Sequence, residues 1–423
     1  MSKPYQKFTF KNGLRLVTVP MKNTKAVTVL VLVGTGSKYE TKEINGISHF
    51  LEHMFFKGTK KRPTPLKLNE IVEKVGGMHN AFTSKEMTGY WVKVDGKHLD
   101  VALDWVSDVY LHSAINQKAI NKERGVIIEE INMNMDQPMT YIWKLWEELL
   151  YGNQPAGWFV AGTKDSIINL KRDNFINYLK SCYSVQNTIV VVAGNIKKDL
   201  KNKVADYFKG ANTIKPKIKD KVVEIQGKPE LAVHYKKTDQ THFCLGVRGV
   251  DLFDKDKYVL DVLSAILGKG HTSRLFLEIR EKYGLAYYIR TISDNSTDSG
   301  YLVTGAGVDN RRVDKAIQIT LKNYKLLKDK KVGREELRKI KDLIIGRMAL
   351  NLETSDDQAE FYGEQELLEK EILTLDEIFA KIEAVTAEDV QRVARDIFKP
   401  EKLNLALIGP FKEKAKFEKL LKL

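Results

Sequence analysis

The sequence predicts an α+β protein built as two homologous domains, each a mostly antiparallel sheet packed with helices. Three observations lead there. Strand-like runs and helical periodicities occur in separate groups, not in strict alternation. A polar, Lys-rich stretch with two prolines, NTIKPKIKDKVVEIQGKP, interrupts the chain near its middle. The order of elements before that stretch recurs after it. With 423 residues, 43% hydrophobic and 29% charged, the chain can fill two cores and lies outside the disordered class.

The first domain is expected over residues 1–210. FTFKNGLRLVTVP alternates like a strand pair, with Asn12-Gly13 as the hairpin turn, and the apolar AVTVLVLVG follows as a buried strand. GISHFLEHMFF then has helical periodicity. A second helix, LKLNEIVEKV, stops at Gly76-Gly77, and MHNAFTSKEMTGYWVKV reads as two strands folded back near residues 84–86. Helical patterns fill most of residues 99–183, broken around Pro138 and by PAGWFVAGT, before the strand TIVVVAGN and the helix LKNKVADYFKG.

Residues 211–230 read as a linker, and 231–423 as the second domain. VHYKKTDQTHFCLGVRG supplies strands, YVLDVLSAILGKG a helix, and SRLFLEIREKYG a helix ending at Gly284. LAYYIRTISDNSTDSGYLVTGAGV is a strand pair turning at its Asn-Ser-Thr-Asp-Ser-Gly cluster. Two long helical stretches follow, and KLNLALIGP closes this domain as TIVVVAGN closes the first. The pattern is that of a duplication.

One feature distinguishes the copies. His49, Glu52 and His53 form H-x-x-E-H in the first, and the second has no counterpart. Residues four apart on a helix stack one turn above the other, so both imidazoles can reach one ion while Glu52 projects beside them. Catalytic zinc takes three protein ligands and an open position. KERGVIIEEINMNMDQP offers Glu123, Glu129 and Glu130 for the third: Glu123 and Glu130 share a helix face, and Glu129 points about 100° away. By spacing, either Glu123 or Glu130 could ligate while the other holds a ligand imidazole.

The chain here resembles the pitrilysin and insulinase family of zinc peptidases, in its two-domain, processing-peptidase-like branch. The resemblance runs through GISHFLEHMFFKGT, GGMHNAFTSKEMTGYW, ERGVIIEE, PAGWFVAGT, TIVVVAGNI and GHTSRLFLEIREKYGLAY. It implies one zinc ion per chain held by His49, His53 and Glu130, with Glu123 supporting a ligand. It also implies Glu52 as general base on a zinc-bound water and two domains closing as a clamshell around a peptide chamber. Asn80, Ala81 and Phe82 match the edge strand that pairs with the substrate backbone; the alternative for Phe82 is a ring that fills the core. Arg280 and Tyr287 match the residues that bind substrate carbonyls and donate to the developing oxyanion. The implied activity is endopeptidase hydrolysis of unfolded peptides or presequence-like segments, and the implied assembly a homodimer.

Other classes fit poorly. The net charge of +14 admits acidic partners, but the lysines are scattered over amphipathic helices and no zinc-finger, RNA-recognition or P-loop signature accompanies them, so no specific nucleic acid is expected. No G-x-S-x-G is present, and Cys182 and Cys244 lie in no nucleophile or C-x-x-C motif, which suits buried thiols in a reducing compartment. There is no apolar run long enough for a membrane span and no leader-like start, so a cytoplasmic enzyme of bacterial type is expected; a processed protein of an organellar matrix would read the same.

Overall fold

The computed structural model describes residues 3–196, 199–369 and 371–423. They form two compact units, each built on one sheet.

The first unit carries β1 (Gln6–Thr9), β2 (Arg15–Pro20), β3 (Ala26–Val33), β4 (Met78–Thr83), β5 (Thr88–Asp95) and β6 (Thr188–Gly194) in the order β1-β2-β6-β3-β5-β4. All pairs are antiparallel except β2 with β6. The expected hairpin joins β1 to β2, with Gly13 at φ 93°, a conformation that disfavours side chains. β3 is apolar along almost its whole length because both faces are covered. Val27, Val29, Val31 and Val33 join a core with helices Ile47–Phe55, Leu99–His112 and Arg172–Cys182. Leu30 and Leu32 point the other way, with Ile189 and Val191, into a core closed by helix Ser355–Leu368. That helix approaches closely enough to need Gly363, where a Cβ would stand 2.6 Å from Leu32 Cδ1 and 2.9 Å from Val191 Cγ2. Lys93 pairs with Asp356 at 2.5 Å, and Lys7 and Arg15 both pair with Glu366.

The second unit carries β7 (Glu230–Tyr235), β8 (Gln240–Arg248), β9 (Ala286–Ser296), β10 (Ser299–Asp309) and β11 (Leu403–Gly409) in the order β7-β11-β8-β10-β9. Only β7 with β11 is parallel. Apart from β1 the two sheets share one topology: β7, β11, β8, β10 and β9 occupy the places of β2, β6, β3, β5 and β4. One face packs helix Pro138–Tyr151, whose Ile142, Trp146 and Leu150 meet Cys244, Val303 and Ile408. Helices Lys257–Gly268 and Val313–Asp329 pack against the strands as well.

The boundaries differ from the contiguous halves expected at 1–210 and 231–423. The first unit comprises Met1–Asn132, Phe159–Asp220 and Leu350–Thr374; the second comprises Met133–Trp158, Lys221–Ala349 and Leu375–Leu423. The cause is the need to cover both faces of each sheet, which recruits Ser355–Leu368 to the first and Pro138–Tyr151 to the second. The linker has neither helix nor strand over residues 211–229, yet it is fastened. Within the first unit, Lys217 donates to the carbonyls of Ser181 and Tyr39, and Lys219 pairs with Glu86. Within the second, Val223 and Gln154 exchange two hydrogen bonds and Glu224 pairs with Arg248.

Two local expectations also change. Where two long helical stretches are expected, the described residues form five helices, Val313–Asp329, Arg334–Asn351, Ser355–Leu368, Leu375–Ala384 and Ala387–Ile397. Thr354 and Thr386 begin the third and fifth with reciprocal capping boxes to Asp357 and Asp389. Phe276–Lys282 winds as a π-helix, a form common at functional positions. Among the described residues no helix is long and apolar enough to cross a membrane.

Candidate metal centre

Helix Ile47–Phe55 is only nine residues long, and such a helix is marginal without tertiary support. Ile47, Phe50, Leu51, Met54 and Phe55 bury one face, which leaves His49, Glu52 and His53 on the other. Its N-terminus is held by a residue outside the helix. Glu40, 4% exposed, accepts the backbone N–H of Gly46 at 2.7 Å and of Ser48 at 2.9 Å, and the Asn45 amide at 2.9 Å. Burial raises the pKa of this carboxylate, and those donors oppose the rise. Gly46 itself cannot carry a Cβ, which would lie 2.7 Å from the Ala161 carbonyl.

The His49 and His53 rings lie 4.8 Å apart, and the Nε2 atom of each is 3.6 Å from the same oxygen of Glu130, Oε2. These three residues are the one group of metal-ligating side chains found together among the described residues. Ligands on tetrahedral zinc at about 2.0–2.1 Å stand roughly 3.3 Å from one another, so the spacing and the two-imidazole, one-carboxylate donor set both suit that ion. Burial, with His53 beside it, pushes the His49 pKa down to about 4, which keeps its ring neutral at pH 7. His49 Nδ1 is buried without a hydrogen-bond partner. His53 does have one: its Nδ1 lies 2.9 Å from Glu123 Oε1, and the other Glu123 oxygen pairs with Lys57 at 2.8 Å. Burial opposes the charge on Glu123, but the His53 and Lys57 hydrogen bonds prevail and its pKa falls below the usual range.

The three glutamates thus stand in different surroundings. Glu130 joins the imidazoles, Glu123 lies behind His53, and Glu129 is exposed with Asn132 at 3.5 Å.

Glu52 accepts a 2.6 Å hydrogen bond at Oε2 from Thr83, the last residue of β4. Burial raises its pKa, with the Thr83 bond pulling the other way. β4 ends the sheet order, paired with β5 on one side. Within β4, Ala81 joins the core shared with helix Ile47–Phe55, and the exposed Asn80 folds its side chain onto the Ala81 N–H at 2.9 Å. Phe82 packs its ring over Gly89 into the opposite core, so only its backbone is left for a ligand.

Arg280 and Tyr287 are neighbours on the second unit. The Arg280 guanidinium sits 4.9 Å over the Phe276 ring and 6.0 Å from that of Tyr287, which is 73% exposed. Sequence reasoning missed Glu40, Lys57 and Thr83. Lys57 could have been found four residues beyond His53, in the turn just past the helix end; Glu40 and Thr83 meet the helix only through tertiary structure.

Residues 15–164 match the model of the insulinase family, peptidase family M16, and residues 169–344 match that of the peptidase M16 inactive domain. An uncharacterized zinc protease of Bacillus subtilis, YmxG, is 35% identical over 409 residues, covering 96% of this chain and 98% of that protein. The crystal structure of a protease from Helicobacter pylori superposes with a TM-score of 0.89 at 26% identity, over 96% of this chain and 99% of that one. A Pseudomonas fluorescens structure described as a peptidase M16 inactive domain shares the fold, with a TM-score of 0.88 at 16% identity over 96% and 98% of the two chains. Taken with the matched models, the 35% identity over almost the whole length places this chain in the insulinase family of peptidases, family M16.

Proposed function

We propose that this chain is a zinc-dependent endopeptidase of the H-x-x-E-H type, with one zinc per chain held by His49, His53 and Glu130. The observation that carries the reading is the convergence of their three ligand atoms beside the carboxylate of Glu52. Zinc held by these residues would supply Lewis acidity toward the scissile carbonyl and the attacking water. The chain's own residues do the rest. Glu52 takes the water's proton and returns it to the leaving amine. Glu123 accepts the Nδ1 proton of His53 and so fixes the tautomer whose Nε2 lone pair faces the ligand site. The edge of β4 at Asn80, Ala81 and Phe82 pairs with substrate main chain, which binds peptides with little regard to side chains. Arg280 holds a substrate carbonyl, and the Tyr287 hydroxyl donates to the developing oxyanion.

The substrate class is unfolded peptide or presequence-like segments, following the family resemblance, and the names of its bacterial relatives, zinc proteases, support the metal. The assembly is a homodimer, which light scattering of the active protein tests. The decisive assay is cleavage of a mixed peptide library followed by mass spectrometry. The reading expects cuts that stop on chelation and return with one equivalent of zinc, and hydrolysis that survives complete removal of zinc overturns it.

A further inference from the structure

We infer that Thr83 is a positioning residue for the general base, an inference that rests on the assignment of Glu52 above. The Thr83 hydroxyl donates to Glu52 Oε2 at 2.6 Å, a short bond typical of a charged acceptor. This engages one carboxylate oxygen and leaves Oε1 to take the proton. A glutamate turns freely about its terminal torsion, and the hydroxyl removes that freedom.

The donor is itself held. Thr83 ends β4, paired with Thr88 of β5, and the turn that follows is closed by hydrogen bonds from the Ser84 N–H and hydroxyl to the Met87 carbonyl. A second segment braces this turn from outside. Ser37 N–H donates to Ser84 O and Lys38 N–H to Lys85 O, while the Lys38 ammonium pairs with buried Glu86 at 3.1 Å. Gly36 lets that segment approach, since a Cβ there would stand 2.2 Å from Ser84 O. The same short segment ends at Glu40, which caps the helix bearing Glu52. Helix and strand are therefore fixed to one bracket, residues 36–40, and Thr83 joins them at the carboxylate. Its position three residues beyond Asn80 sets the base in register with the strand edge that would hold the substrate backbone.

The test compares Thr83→Val, which keeps shape without the hydroxyl, with Thr83→Ser, which keeps the hydroxyl, and with Glu52→Gln. Each is assayed for kcat, KM and zinc content on a quenched-fluorescent peptide. Thr83→Val is expected to lose about 10-fold to 100-fold in kcat, the scale of one hydrogen bond to a charged group, with KM and zinc near wild type. Thr83→Ser is expected within about threefold of wild type, and Thr83→Val on a Glu52→Gln background to add little further loss. Thr83→Ala repeats the measurement should valine disturb the strand. Wild-type kcat in both the Val and Ala variants beside an inactive Glu52→Gln enzyme overturns the role of Thr83 alone. Loss in Thr83→Ser equal to that in Thr83→Val overturns it too. Wild-type turnover in Glu52→Gln overturns the base assignment and this inference with it.

Discussion

Removing the Glu40 carboxylate should loosen the metal helix from its first turn. In Glu40→Ala the N–H groups of Gly46 and Ser48 lose their acceptor, whereas the Asn45 amide keeps the Phe159 carbonyl at 3.1 Å. Two orphaned backbone donors at about 1–3 kcal/mol each give a loss of 2–6 kcal/mol, and water entering the vacated space moderates it toward about 3 kcal/mol. At about 2–4 °C per kcal/mol for domains of this size, the melting temperature of the metal-free protein should fall by about 6–12 °C. His49 lies in the turn that frays, so zinc must also restore local order, and its apparent affinity should weaken by about tenfold. Calorimetric melting with and without zinc, together with competition titration against a chromogenic chelator, measures both quantities. Glu40→Gln retains one acceptor oxygen and should fall between. Wild-type melting and wild-type zinc affinity in Glu40→Ala would refute the reasoning, because the helix would then need no cap from Glu40.

Metal analysis should show zinc binding strongly weakened in His49→Ala, His53→Ala and Glu130→Gln, weakened about 10-fold to 100-fold in Glu123→Gln, and unchanged in Glu129→Gln. Gly363→Ala should destabilise the first unit by about 1–3 kcal/mol in urea unfolding, since its methyl group would meet Leu32 and Val191. The Asp356 carboxyl, whose burial is outweighed by its hydrogen bonds to Lys93 and Thr354, has its pKa held below the ordinary 3.8. A depressed folded-state pKa contributes stability that is present above the unfolded value and lost as pH falls through the folded one. Acid titration below about pH 4 should therefore destabilise the first unit, and Lys93→Met should flatten that slope.

How much of this was legible in the sequence follows from the range of the interactions involved. The apolar run of β3, the Asn12-Gly13 hairpin and the repeated order of elements depend on neighbours in the chain, and they appear as expected. H-x-x-E-H is legible for the same reason, since a helix turn alone brings His49 and His53 to one face. Spacing narrowed the third ligand no further than Glu123 or Glu130, and tertiary packing distinguishes them by turning Glu123 toward His53 and Lys57. The helices Pro138–Tyr151 and Ser355–Leu368 show where sequence reading runs out. Periodicity announces an apolar face but not which sheet it will cover, and each packs within the unit formed mainly by the other half of the chain. The sequence of β4 admits Phe82 as either substrate edge or core, and its ring lies over Gly89 because alternation along β4 turns it from the helix that Thr83 faces. The π-helix over Phe276–Lys282 has no signature in its residues, which repeat like an ordinary α-helix.

Anomalous X-ray diffraction on zinc-loaded crystals, recorded above and below the zinc absorption edge, tests the central claim most directly. The account predicts one peak per chain, about 2.0–2.2 Å from His49 Nε2, His53 Nε2 and a Glu130 carboxylate oxygen, with Glu52 beside the ion and outside its ligand set. No peak at that position, or a peak ligated by Glu52, Glu123 or Glu129 in place of Glu130, would contradict it.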